Sequence, residues 1–158
     1  FSLEISFQQL EQHLLTIDKY QQDKNDFNIK ILDGVLDFLN DNTNRYIFTL
    51  FTSDREKNAR LTLKKFGIDK YFKEVLGGDS VERSKPNPEG ILKICSKLKI
   101  STKRTAYISD TIGDLEMAQS ANLPFKIGVL TGLGNREELA ENGNVICENL
   151  TELSDYLR

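Results

Sequence analysis

The chain has 158 residues, with 21 basic and 24 acidic side chains giving a net charge of -3, 39% hydrophobic residues and a single histidine. That is enough for one domain with a real core, and the evenly mixed charge leaves neither a basic stripe for nucleic acid nor a polybasic patch for a membrane surface. No apolar run approaches the ~20 residues of a membrane helix, and one histidine, His13, leaves little room for histidine triads or multi-histidine zinc sites.

In chain order, FSLEISF alternates like a one-sided strand, and Ser6 with Gln9 resembles a capping box ahead of Phe7, Leu10, Leu14 and Ile17. Their spacing predicts a helix to about Gln22, broken by the polar stretch 21–26. A second helix is predicted from about Gly34 to Asn40. YIFTLFT (46–52) is a continuous apolar run, as a parallel strand covered on both faces requires. A helix follows to about Phe66, stopped by Gly67. YFKEVLGG holds a short strand. Pro88 opens another helix that turns Ile91, Cys95 and Leu98 inward. Then come strand TAYIS (105–109), a helix from about Gly113 to Ala121, strand FKIGVL (125–130), a short helix near Arg136–Glu141, strand NVIC (144–147) and a last helix from Thr151. Alternating strands and helices define an α/β fold with a parallel sheet. Cys95 and Cys147 have no metal-ligand spacing and read as buried free thiols of a cytoplasmic protein.

In such sheets ligands sit beyond the carboxyl ends of the strands. Three segments place polar groups there: Thr52 and Ser53, then Lys85 in SKPNP, then Asp110 and Asp114 in YISDTIGDLEM. Hydroxyls and exposed N–H groups bind phosphate oxygens, a lysine adds a compact positive charge, and paired carboxylates suit a hard cation such as Mg²⁺. Together they describe phosphoryl chemistry. Each also has a structural reading. Thr52-Ser53 could cap a helix, Lys85 could be a solvated loop charge, and Asp110 and Asp114 could be an N-cap and a first-turn acid. Two close carboxylates repel by a few kcal/mol at an effective dielectric of about 20, a conflict that a shared cation or ammonium removes.

LFTSD, SKPNP and YISDTIGDLEMAQSANL resemble, in this order, the second, third and fourth motifs of the haloacid dehalogenase superfamily, especially its phosphoglycolate phosphatase-like branch. GVLTGLGNREEL resembles the loop that follows in that family. Ser109 stands in place of a usual glycine, and Asn122 replaces the glycine that ends the motif's helix. The likeness covers roughly residues 30 to 158. It implies a three-layer, Rossmann-like core at 29–158 preceded by the remnant of a helical cap at 1–28. It implies further that Thr52 and the Ser53 amide hold a phosphoryl group, that Lys85 neutralises it, and that Asp110 ligates Mg²⁺ with Asp114 assisting directly, through water or through Lys85. The expected activity is Mg²⁺-dependent hydrolysis of a small phosphorylated metabolite through an aspartyl-phosphate, with no nucleic-acid or membrane partner.

The family's first motif, Asp-x-Asp, does not occur in this sequence. ILDGVL (31–36) imitates its surroundings, but Ile31 takes the nucleophile's place, and Phe51 follows Asp33 too closely for a loop, a crossover helix and a strand. Residues 31–39 therefore read as the helix before the second motif. The core is expected to lack its central strand, to be unstable and inactive alone, and to belong to a protein with residues upstream of Phe1. The alternative is a non-catalytic binding or structural module built on the same core. A signalling receiver domain combines similar residues, but in a different chain order.

Overall fold

A computed structural model describes residues 3–7, by their backbone alone, and residues 30–157. The strands are β1 (Leu3–Phe7), β2 (Tyr46–Phe51), β3 (Phe72–Leu76), β4 (Thr105–Ser109), β5 (Phe125–Val129) and β6 (Val145–Cys147). The helices are α1 (Val35–Asn42), α2 (Glu56–Lys65), α3 (Glu89–Leu98), α4 (Ile112–Ser120), α5 (Arg136–Ala140) and α6 (Leu150–Tyr156). All strand pairs are parallel, in the order β3-β2-β1-β4-β5-β6. The expected elements from residue 34 onward are all present, within a few residues of their anticipated ends. Among the described residues no helix is long and apolar enough to cross a membrane.

The two faces of the sheet bury different side chains, as a period of two dictates. Phe48 and Leu50 of β2, Ala106 and Ile108 of β4, and Ile127 and Val129 of β5 join one core cluster with α1, α2 and α6. Phe51 and Tyr107 turn the other way and meet Ile91, Ile94 and Cys95 of α3 and Met117 and Ala118 of α4. The result is the three-layer α/β arrangement that the sequence predicts. Local punctuation agrees. Gly67 and Asn122 adopt the left-handed conformation at helix ends (φ 67° and 56°), and Cys95 and Cys147 are buried free thiols.

One expectation is corrected. The sheet does not lack its central strand: Leu3–Phe7 fills that slot, paired from Leu3 to Ser6 with Tyr46 to Thr49 and from Glu4 to Phe7 with Thr105 to Ile108. Both neighbouring edges are satisfied, so the argument for instability from unpaired edges does not hold. Phe7, expected to open a helix, ends this strand. The rest of that helix, the break at 21–26, His13 and most of the cap remnant assigned to 1–28 lie outside the described residues. Asp33, expected inside a helix at 31–39, is instead exposed in the turn that leads into α1, whose first residue is Val35.

Candidate functional site

Strand order reverses direction at β1, and the carboxyl ends beside it are where an open α/β sheet gathers its ligands. Ser6 pairs with Thr49 on one side and Tyr107 on the other, so those two residues share a level. Thr52 and Asp110 each lie three residues further on and flank β1 at the same height on the carboxyl edge.

Thr52 is fully buried, its N–H donating to the Leu76 carbonyl (3.0 Å) and its hydroxyl accepting from the Asp54 N–H (3.1 Å). Neither Thr52 nor Ser53 caps α2. Asp54 takes the adjoining Arg55 N–H (2.6 Å), and Asp79 reaches across from the next loop to the Glu56 N–H (2.9 Å). Ser53 is exposed, and Gly78 packs so closely beneath it that an added Cβ would lie 2.5 Å from the Ser53 carbonyl oxygen. The loop after β2 is thus seated on the loop after β3, with the Ser53 side outward.

Lys85 is not a solvated loop charge. Only 10% of its side chain is exposed. Its ammonium donates to the Phe51 carbonyl (3.0 Å), lies 4.7 Å from the centre of the Phe51 ring, and pairs with Asp114 Oδ1 at 3.4 Å. These contacts tie the loop before α3 to the end of β2 and the first turn of α4. Asp114 is buried. Its Oδ2 accepts from the hydroxyls of Ser109 (3.0 Å) and Thr111 (2.8 Å). It therefore faces the start of α4, as a first-turn acid does, and also holds the lysine.

Asp110 is 1% exposed. It is not the N-cap of α4, a place taken by Thr111. Its backbone carbonyl accepts from the Gly134 N–H (2.8 Å) and its Oδ2 from the Leu133 N–H (3.1 Å). The other oxygen, Oδ1, is buried with no hydrogen-bond partner among the described residues. Burial pushes the Asp110 carboxyl above the usual carboxylate range. The N–H groups of Leu133 and of Asp110 itself oppose this, the Asp114 charge adds to it, and Lys85 counters it. Gly132 is the residue that composition alone hides. An added Cβ there would fall 1.7 Å from Asp110 Oδ2, so only glycine lets the loop after β5 close over this carboxylate. The paired glycines of TGLG were its only signal in the sequence.

Mg²⁺, implied by the resemblance, fits this carboxylate. An orphaned, buried, electron-rich oxygen is costly, and a cation would satisfy it. No group of three His, Cys, Asp or Glu side chains able to hold a metal is gathered among the described residues. Mg²⁺ keeps several waters and takes one or two carboxylates, so Asp110 would be an anchor completed by water, by Asp114 or by donors outside the described residues. Thr52 and Asp110 thus follow the two strands on either side of β1, and Lys85 and Asp114 are in direct contact with each other.

Comparison with known proteins identifies the family and fold of the chain. A phosphoglycolate phosphatase of Salmonella paratyphi A is 32% identical over 92 residues, which are 58% of this chain and 36% of that protein. A phosphorylated carbohydrates phosphatase of Thermotoga maritima is 28% identical over 114 residues, 72% of this chain and 53% of that protein. The chain therefore spans about a third to a half of the length of these relatives. A solved structure of a predicted phosphatase from Clostridium acetobutylicum superposes with a TM-score of 0.74 at 26% identity, over 81% of this chain and 60% of the other. The family model of the haloacid dehalogenase-like hydrolases matches residues 2–127, a span that starts before residue 30, where the sequence likeness was placed, and takes in β1. The chain belongs to the haloacid dehalogenase-like hydrolases.

Proposed function

We propose that residues 29–158, with β1, form the phosphoryl-handling core of a Mg²⁺-dependent phosphatase acting on a small phosphorylated metabolite of the phosphoglycolate or sugar phosphate class. The buried Asp110 Oδ1, without a partner among the described residues and near the Lys85–Asp114 pair, carries this reading. In it, the Thr52 hydroxyl and Ser53 amide hold phosphoryl oxygens, and Lys85 offsets charge that builds on them in the transition state. Asp110 holds Mg²⁺, which supplies further neutralisation of that charge. Asp114 is held by Ser109, Thr111 and Lys85, and Asp110 is given to the metal in this reading. The carboxylate that would attack phosphorus and form the aspartyl-phosphate is therefore assigned outside the described residues. The test is phosphate release from phosphoglycolate and a panel of sugar phosphates, with and without Mg²⁺. Release that persists unchanged in EDTA or in the Asp110→Asn variant would sink the metal role.

A second reading is favoured by one observation. β1 occupies the central slot, yet the chain continues from it as Gln8-Gln9, amides rather than acids, and holds no Asp-x-Asp. A core of this kind would bind a phosphate ester without hydrolysing it. Calorimetric binding of phosphoglycolate without any release of phosphate would select this reading over the first.

A further inference from the structure

Asp114 has three neighbours of definite chemistry, and together they restrict what it can do. Ser109 and Thr111 both donate hydroxyl hydrogens to the same oxygen, Oδ2. The Ser109 hydroxyl is in turn the acceptor for the Thr111 N–H (3.1 Å). A hydroxyl with an N–H on its lone pair has its own hydrogen directed elsewhere, here toward the carboxylate. The remaining oxygen, Oδ1, faces the Lys85 ammonium, which a backbone carbonyl and an aromatic face hold from the other sides. Asp110 presents the opposite picture. Its Oδ2 has one amide donor, and its Oδ1 has none among the described residues.

We infer that Ser109 and Thr111 are positioning residues that commit Asp114 to Lys85, leaving the cation to be held through Asp110 and not through Asp114. The inference rests on the phosphoryl-site reading above. Geometry supports the division of labour. With two hydroxyls on Oδ2 the carboxylate cannot rotate without losing one of them, so Oδ1 stays on the ammonium. A divalent ion placed on Oδ1 would sit against that like charge. The ammonium, fixed by Asp114 and by Phe51, is then pre-aimed at the phosphoryl position beside Thr52, which costs less ordering when an anion binds. Ser109 is the element particular to this chain: it stands where the family's motif has glycine, and a glycine would leave Oδ2 with Thr111 alone.

Two probes that need no turnover separate the parts. Mn²⁺ binding is read from the loss of its free-ion paramagnetic resonance signal, and inorganic phosphate binding by calorimetry, each with thermal unfolding as a check on folding. Asp110→Asn should weaken Mn²⁺ binding by 30-fold or more, whereas Asp114→Asn and the Ser109→Ala/Thr111→Val pair should leave it within about threefold. The same two variants should lose about tenfold in phosphate affinity, and the Lys85 ammonium cross-peak in ¹⁵N spectra should broaden as its protons exchange faster with water. Single Ser109→Ala should do less, because Thr111 still donates, and Ser109→Thr should restore the wild-type values. Asp114→Asn weakening Mn²⁺ as much as Asp110→Asn would overturn the proposal. So would a folded Ser109→Ala/Thr111→Val variant with unchanged phosphate affinity and an unchanged Lys85 signal. A wild-type chain that binds neither probe would refute the phosphoryl-site reading itself, and the inference with it.

Discussion

Asp110→Asn should make the metal-free protein more stable, although it removes the group that the proposed function needs most. The wild-type carboxylate is almost wholly out of water, accepts the Leu133 N–H, and leaves Oδ1 without a partner among the described residues. Asparagine keeps an oxygen for the Leu133 N–H and puts a neutral amide where a buried anionic oxygen was. An unsatisfied buried polar group costs about 1–3 kcal/mol, and more when charged. Replacing the charged group by the neutral one should therefore return about 1 kcal/mol, after the lost attraction to Lys85 is set against it. For a chain of this size that raises Tm by roughly 2–4 °C in EDTA. The sign with pH follows from the raised carboxyl. The folded state holds its proton to higher pH than the unfolded chain, so ionised Asp110 subtracts stability above that raised value and subtracts none below the ordinary carboxylate range. The advantage of asparagine should thus be present at pH 7 and vanish on acidification through that window. Mg²⁺ should reverse the ranking. At a hundred times its Kd it stabilises the wild type by about 2.7 kcal/mol and should leave the variant where it was. Calorimetric scans of both proteins, in EDTA and in Mg²⁺, decide the matter. A variant that is less stable than wild type in EDTA, or that gains as much from Mg²⁺, would refute the reasoning.

Three further outcomes are expected. Lys85→Ala removes the ammonium held by Phe51 and Asp114, and it should cut phosphate ester turnover, or phosphate affinity if the core only binds, by two orders of magnitude or more, about 3 kcal/mol, in a chain whose circular dichroism is unchanged. Gly132→Ala drives a methyl group into the Asp110 carboxylate; it should cost about 1–3 kcal/mol and abolish the Mg²⁺-dependent rise in Tm. Cys147 is buried and its thiol is pushed up to about 11 by desolvation, so at pH 8 a thiol reagent should label it only as fast as the protein opens, and labelling in native buffer at the rate of a free thiol would contradict its placement.

Most of the sheet was legible because it obeys simple rules. Strands such as YIFTLF and TAYIS are mostly apolar, carry no charge and are buried almost throughout, as a parallel strand covered on both faces must be. Leu3–Phe7 alternates like a one-sided strand, but it was not given the central slot because it carries no acid at its carboxyl end, and Phe7, Leu10 and Leu14 offer a competing helical spacing. What resolves the ambiguity is tertiary: two neighbouring strands present open edges, and only this segment pairs with both. At the candidate site, residue identities at strand ends were enough to nominate Thr52, Ser53, Lys85, Asp110 and Asp114. Their partnerships were legible only in part: the resemblance separates Asp110 from Asp114, but nothing in the sequence shows that two hydroxyls hold Asp114 while Asp110 Oδ1 has no partner among the described residues. Gly132 was hidden for the same reason, because its role is defined by a carboxylate more than twenty residues away.

The position of β1 also bears on how the chain assembles. Its partners are distant in sequence: Leu3 meets Tyr46 about forty residues on, and Glu4 meets Thr105 about a hundred residues on. The β2–β3 and β4–β5–β6 pairings, by contrast, are separated by single helical crossovers. Loop closure makes the near pairings form first and the far ones late. The earliest strand of this chain is therefore among the last to find its place, as a keystone set between two finished half-arches. Until then each half carries an open edge that another copy's strand could occupy, so misassembly during synthesis should take the form of strand exchange at this slot.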